Sequence, residues 1–174
     1  SKTNVSTSLN LGFVTETTAG GNHRCLKRFN ATPSNFYNAS FRIKQESTDI
    51  SAVEILIITS GGFLTTVFNL ITGLVVSNND SGGSALTQKT NITTAVDAEG
   101  FYVIGISFFL SQSNFFNAGF GFIKNGSNSY SGNGTSRVNV FSSQVVETRF
   151  LSSYIPTGNS PVTRNADVIT ATPP

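Results

Sequence analysis

The chain offers few side chains capable of acid–base or nucleophilic chemistry. His23 is the only histidine, Cys25 is the only cysteine, and nine carboxylates complete the set. Nucleophilic catalysis needs a nucleophile, a base and a group that orients the base. No Gly-x-Ser-x-Gly elbow and no paired Cys/His spacing accompanies His23. His23 and Cys25 lie two apart, on one face of a strand, but two ligands fall short of the four that a structural zinc takes. The expectation is a protein that is not an enzyme and has no catalytic residues.

Two binding chemistries remain open. Asp49, Asp80, Asp97 and Glu99 fall in turns or beside strand ends, and acidic loop side chains combined with backbone carbonyls are what calcium prefers. The expectation is no cofactor, with calcium at Asp80 or at the Asp97/Glu99 pair as the alternative. Sugar rings pack on aromatic faces that carry a polar tip. The chain has no tryptophan and four tyrosines, Tyr37, Tyr102, Tyr130 and Tyr154. Tyr130, in an Asn/Gly/Ser-rich run with Asn128 and Asn133 beside it, is the candidate glycan contact. The competing reading is a turn tyrosine leaning on its own strand.

The elements that would position these residues are strands. The 174 residues are 11% charged, rich in Ser, Thr and Asn, and include 15 Phe and 16 Gly. Uncharged polar surfaces on a Gly-punctuated chain favour short strands and turns. A formal charge of +2 is too small to point to nucleic acid or membrane as a partner. The one basic concentration is Arg24, Lys27 and Arg28, read as a solvated strand end. A single cysteine excludes an internal disulfide. No run approaches the ~18 apolar residues of a membrane span, and no leader pattern opens the chain. A start at Ser1 reads as a trimmed chain or a piece of something longer.

Turn clusters recur every 8 to 12 residues or so, as in an all-β sandwich or barrel. Alternation predicts strands over 9–17 (with Leu9, Leu11 and Phe13 on one face), 24–29, 36–46, 53–59, 63–70, 74–77, 87–96, 101–110, 115–123 and 137–147. Asn78 to Ser84 and Lys124 to Thr135 are expected to be loops. In the strand over 36–46, Phe41 and Ile43 face the core while Arg42 and Lys44 face away. Two strands are apolar on both faces. Val53, Ile55 and Ile57 oppose Leu56 and Ile58; Phe101, Val103 and Phe109 oppose Tyr102, Ile104, Ile106 and Phe108. An exposed side chain of this kind forgoes roughly 1.5–3 kcal/mol of burial, so loops or a neighbouring protomer must cover them. Gly119 and Gly121 alternate with Phe116, Ala118, Phe120 and Phe122 and would let another backbone come close. The reading is a jelly-roll β-sandwich of two antiparallel sheets over 1–151. After it comes a stiff extended docking arm over 152–174, where Pro156 fixes φ and biases Ile155 to extended geometry. In that arm Tyr154 and Ile155 are the expected insertions, and Arg164 and Asp167 an exposed pair worth at most about 1 kcal/mol.

The closing stretch carries a resemblance. Tyr130 to Thr135 (YSGNGT), Val138 to Phe141, Gln144 to Glu147, then Ser153 to Thr157 (SYIPT), Thr163-Arg164 and Ala166-Asp167 resemble a pattern common in bacteriophage head-spike, head-fibre and tail-fibre domains. Those read roughly YTGDGTS, IWGAQLEEG, TSYIPT and TRAAD, and resemble carbohydrate-binding jelly rolls. Phe68-Asn69-Leu70 with Thr72-Gly73 is similar to their FDLSTG segment, and Asp97 to Ser107 to their GNGWYRVSIS strand. Phe101 and Phe141 stand where the pattern has tryptophans. The resemblance implies a virion structural protein at the particle surface that works by assembly. It would form a homotrimer, contact other virion proteins and cell-surface glycan, and bind neither nucleic acid nor membrane. The alternative is a glycan-binding module, for host attachment or as part of a secreted polysaccharide-degrading enzyme.

Overall fold

The structure, a computed structural model, describes residues 2–3, 5–7, 12–81 and 86–147; the side chains of the first two strands and of 87–93 are not described. The strands are β1 (Lys2–Thr3), β2 (Val5–Thr7), β3 (Phe13–Glu16), β4 (Gly20–Asn22), β5 (Arg24–Asn30), β6 (Asn35–Gln45) and β7 (Ile50–Thr59). They continue with β8 (Gly62–Asn69), β9 (Val75–Asp80), β10 (Leu86–Val96), β11 (Tyr102–Leu110), β12 (Phe115–Lys124), β13 (Ser129–Ser131) and β14 (Arg137–Val146). No helix occurs among the described residues. The arm expected over 152–174, with Tyr154, Ile155, Pro156, Arg164 and Asp167, lies outside the described residues.

The molecule is an all-β sandwich. One sheet runs β1-β5-β12-β7-β8-β9, the other β10-β11-β6-β14-β3-β2, and β4 pairs with β13 in a small two-stranded ribbon. Every named pairing is antiparallel. The chain passes directly from one sheet to the other between β1 and β2, β5 and β6, β6 and β7, β9 and β10, and β11 and β12. Six of the ten neighbour pairs in the two large sheets therefore join strands that are not consecutive in sequence, the interleaving that Greek keys produce.

Strand alternation places the core between the sheets. Phe41 and Ile43 of β6, Val53, Ile55 and Ile57 of β7, Ile104, Ile106 and Phe108 of β11, and Phe116, Phe120 and Phe122 of β12 are all buried there. With no tryptophan to fill volume, phenylalanine pairs do so. Phe116 meets Phe108 edge-on at 5.1 Å and Tyr37 at 5.2 Å, and Phe68 meets Tyr102 at 5.0 Å. Each such pair contributes about 0.5–1.5 kcal/mol beyond its buried area.

Gly119 does what its place in the alternation suggested. A Cβ there would stand 1.9 Å from the Cys25 carbonyl oxygen, so only glycine lets β5 close onto β12. The first strand departs from the expected pattern. In β3 the buried positions are Val14 and Glu16, while Phe13 is half-buried under Arg137, whose guanidinium carbon stands 4.2 Å from the ring centre. The inward face is thus that of Val14 and Glu16 rather than that of Phe13, and Lys124 pairs with the inward carboxylate. Two short strands, β4 and β13, and the end of β9 (Asn78 to Asp80) form where loops were expected. They carry no apolar alternation and form by backbone pairing, with Tyr130 of β13 also stacked on His23.

Candidate functional site

The two faces of β7 receive different cover. Its inner face is core. On its outer face Glu54 and Leu56 are buried and Ile58 is half-buried, and this face forms the floor of a groove of about 290 Å³. Strand order explains its walls. Arg24 of β5 and Glu54 of β7 both register with Gly121 of the intervening β12. With no side chain at Gly121, the arginine crosses that strand and Arg24 Nη2 donates to Glu54 Oε2 at 3.1 Å. A Cβ on Gly121 would meet Arg24 Cγ at 3.0 Å and Leu56 Cδ1 at 3.7 Å. Arg24 Nε is buried and has no hydrogen-bond acceptor.

The rest of the groove comes from β8, β9 and the β12–β13 loop. Thr65 and Phe63 follow Leu56 and Ile58 across the β7–β8 pairing, and Asn79 follows Thr65 on β9. Phe63 leaves 37% of its surface open. Asn128 reaches the groove from the β12–β13 loop. The site therefore combines an apolar floor, one aromatic face, one internally neutralised ion pair and two primary amides.

A second cluster lies under the β12–β13 and β13–β14 loops. Lys124 Nζ donates to Asp49 Oδ2 at 2.7 Å, to Glu16 Oε1 at 3.1 Å and to Ser136 Oγ at 3.4 Å. The Asn133 backbone N–H donates to Glu16 Oε1 at 2.8 Å, its side-chain amide donates to Ser136 Oγ, and Ser136 Oγ donates to Asp49 Oδ2 at 2.6 Å. Burial alone would raise the Asp49 pKa, but the bonds from Lys124 and Ser136 outweigh it and hold the carboxyl below its ordinary value. The Asp49 bond lifts the Lys124 pKa against the effect of burial, with Glu16 adding to the lift. Tyr130 stacks on the fully buried His23 at 4.4 Å. Its hydroxyl is buried without a partner. Burial first, then the nearby Glu16 and Asp49 carboxylates, push the phenol's ionisation far upward.

The three residues expected to touch glycan are thus separated in role. Asn128 borders the groove, Tyr130 is half-buried against His23, and Asn133 ties its loop to Glu16 and Ser136. The acidic candidates are also dispersed. Asp80 is exposed on β9, opposite Leu64. Asp97 closes the β10–β11 turn by accepting the N–H groups of Glu99 and Phe101, each at 2.9 Å, and both Asp97 and Glu99 receive the Arg42 guanidinium. Arg42 in turn lies against the rings of Phe101 and Phe141, 4.9 and 4.1 Å from their centres, and those rings meet edge-on at 5.8 Å. A guanidinium thus already occupies the place between the two carboxylates. No group of three or more His, Cys, Asp and Glu side chains suited to a metal ion occurs among the described residues.

Sequence reasoning did not find Arg24, Glu54, Phe63 or Asn79 as site residues. The available signal was the second apolar face of β7, which implied a surface needing cover. Compared with known proteins, the chain matches no family model and no curated protein sequence.

Proposed function

We propose that this chain is a non-enzymatic structural domain of a bacteriophage virion, a head-decoration, fibre or tail-fibre module at the particle surface. It works by assembling with copies of itself, as a homotrimer, and with other virion proteins. The resemblance in the closing stretch supplies the family. The observation that carries the mechanism is an apolar patch where both sheets end.

The strands β9 and β10 terminate their sheets, and the two termini lie on the same side, since β8 packs against β10 and Gly73 sits on the Tyr102 ring. The β8–β9 turn and the end of β10 share a shallow cavity of about 250 Å³ bordered by Gly73, Val96 and Tyr102. Around it Ile71, Leu74, Val76 and Val96 are each 62–65% exposed. Terminal strands are ordinarily guarded by Lys, Pro or bulges; β9 reads VVSNND, with neither Lys nor Pro, and its one irregularity, at Val76, falls within the apolar patch.

Fully burying one such side chain is worth about 1.5–3 kcal/mol. With roughly a third of each already covered, four supply roughly 4–8 kcal/mol. Association costs about 4–15 kcal/mol, so one patch makes a weak contact. Closing a trimer makes the last contact intramolecular, and the effective concentration gained lets three weak contacts suffice. The charged groups support the non-enzymatic reading, since Lys124, Arg24 and Arg42 are each paired with carboxylates inside the fold.

The test is light scattering on the whole chain and on a Leu74→Lys/Val76→Lys double variant. Trimer for the former and monomer for the latter, at equal melting temperature, is the expected result. A monomeric parent chain across the micromolar range overturns the proposal.

A further inference from the structure

We propose that the apolar cleft between the edges of β5 and β14 is the seat of the chain's own C-terminal segment, with the side chain of Ile155 filling it. This gives the arm expected over 152–174 a receptor on its own domain. It holds whether or not copies assemble through the patch around Ile71.

The sandwich opens along one side. Lys27 registers with Ala118 and Ser143 with Phe41, both of them core residues, so both side chains stand on inward faces. Inward positions of a sandwich are ordinarily apolar and buried, yet these are a lysine and a serine, and both are exposed. Among the described strands the cover here is short, since β1 reaches only Arg24 and Cys25 of β5, and β3 only Arg137 to Asn139 of β14. Between the two edges lies a mostly apolar cavity of about 70 Å³. Phe41 and Phe120, edge-on at 6.2 Å, form its floor, and the half-buried Cys25, Phe29 and Val145 form its walls.

Size and chain path identify the occupant. The cavity is about half of the ~150 Å³ that admits benzene, so it suits one branched aliphatic side chain and not an aromatic ring. The described chain leaves the fold at the margin of this cleft. Val145 lines it, and two residues later Glu147 accepts hydrogen bonds from Asn35 Nδ2 at 2.9 Å and from the Tyr37 hydroxyl at 3.1 Å. Residues 148–174 follow. A short tether gives them a local concentration on the order of millimolar, which at micromolar protein favours the chain's own segment over that of a second copy. The nearest aliphatic candidates are Leu151 and Ile155. A reversal of about five residues, within the range of hairpin loops, brings Ile155 level with Val145 and leaves Leu151 in the turn. Pro156 biases Ile155 to extended geometry. Neighbours in an extended chain point to opposite sides, so Ile155 enters the cleft and Tyr154 stays outside it.

Cys25, the sole cysteine, reports on the cleft it lines, and every measurement uses the full chain. Fully burying one isoleucine corresponds to a bias of roughly ten- to a hundredfold toward the docked state. Ile155→Asp should therefore raise the rate at which iodoacetamide alkylates Cys25 by about tenfold or more, whereas Leu151→Asp and Tyr154→Ser should leave it unchanged. Cross-linking supplies a second readout that needs no loss of docking. In Ile155→Cys, mild oxidation should join the new thiol to Cys25 within one chain, because a disulfide forms only when the α-carbons come within about 4.4–6.8 Å. Ala171→Cys, on the same tether, should cross-link about tenfold more slowly or not at all. An alkylation rate unmoved by Ile155→Asp, or raised as much by Leu151→Asp, overturns the proposal. So does equal cross-linking by Ile155→Cys and Ala171→Cys. A disulfide-linked dimer of Ile155→Cys on a non-reducing gel assigns the cleft to a neighbour's segment and overturns it as well.

Discussion

Replacing Lys124 by methionine should remove the charge that holds the β12–β14 loops to the sandwich. The side chain is 15% exposed and its ammonium joins Asp49 to Glu16, whose side chain is 0% exposed. Methionine keeps the stem and its packing but leaves Glu16 buried beside no cation. Breaking a buried pair in this way costs about 3–5 kcal/mol. The Asn133 N–H remains on Glu16 Oε1, so the lower end, about 3 kcal/mol, is expected; at about 2–4 °C per kcal/mol for a domain of this size the melting temperature falls by about 6–12 °C. The loss should also depend on pH. The folded-state pKa of Asp49 is depressed, so its contribution is present above its unfolded value, about 3.9, and is lost as pH falls through the folded value. That of Lys124 is raised, so its contribution is complete below about 10.4 and is lost as pH rises through the folded value. The gap between the two proteins should therefore be widest near neutrality and close in acid. Urea and thermal unfolding followed by far-ultraviolet circular dichroism reads both quantities, as the chain has no tryptophan. A gap below about 1 kcal/mol, the range of exposed pairs, or one that stays constant through the carboxylate range, refutes the reasoning. Adding Glu16→Gln to the methionine variant should restore part of the loss, since the uncompensated charge is gone.

Two further substitutions probe different parts of the fold. Gly119→Ala places a Cβ against a backbone oxygen that no rotamer can move, and should destabilise by at least the upper end of the roughly 1–3 kcal/mol seen for overpacking. Gly121→Ala meets the flexible stem of Arg24 at 3.0 Å and the His23 carbonyl oxygen only at 3.4 Å and should cost no more than about 1 kcal/mol; equal losses in urea unfolding would falsify the distinction. Tyr130→Phe deletes a buried hydroxyl without a partner, so stability should stay level or rise by up to about 1 kcal/mol. Because burial and the neighbouring carboxylates raise this phenol's pKa, its titration leaves stability unchanged below its unfolded value of about 10 and lowers it at higher pH, where the unfolded chain loses the proton first. The ultraviolet tyrosinate titration of the folded variant should accordingly match that of the parent, and an extra early-ionising tyrosine in the parent would contradict it.

The sequence by itself determined the class of fold and most of its strands. Alternation in β6, with Phe41 and Ile43 against Arg42 and Lys44, and in β12, with glycines opposite phenylalanines, reflects the two-residue period of side chains on a pleated strand. The same logic marked β7 as apolar on both faces. Strands β4, β13 and the end of β9 escaped notice because backbone pairing at a sheet margin needs no apolar partner. Tertiary structure alone decided what met across the sheets. Arg24 and Glu54 are thirty residues apart and touch because both register with Gly121. Glu16 of one sheet and Lys124 of the other are separated by 108 residues and meet between the sheets, whereas Phe101 and Phe141, forty apart, meet across β6 of a single sheet. Local periodicity specifies which face of a strand is buried. Only strand order and register specify its neighbour, and that is why the groove on β7 could be felt in the sequence as uncovered apolar surface but not drawn from it.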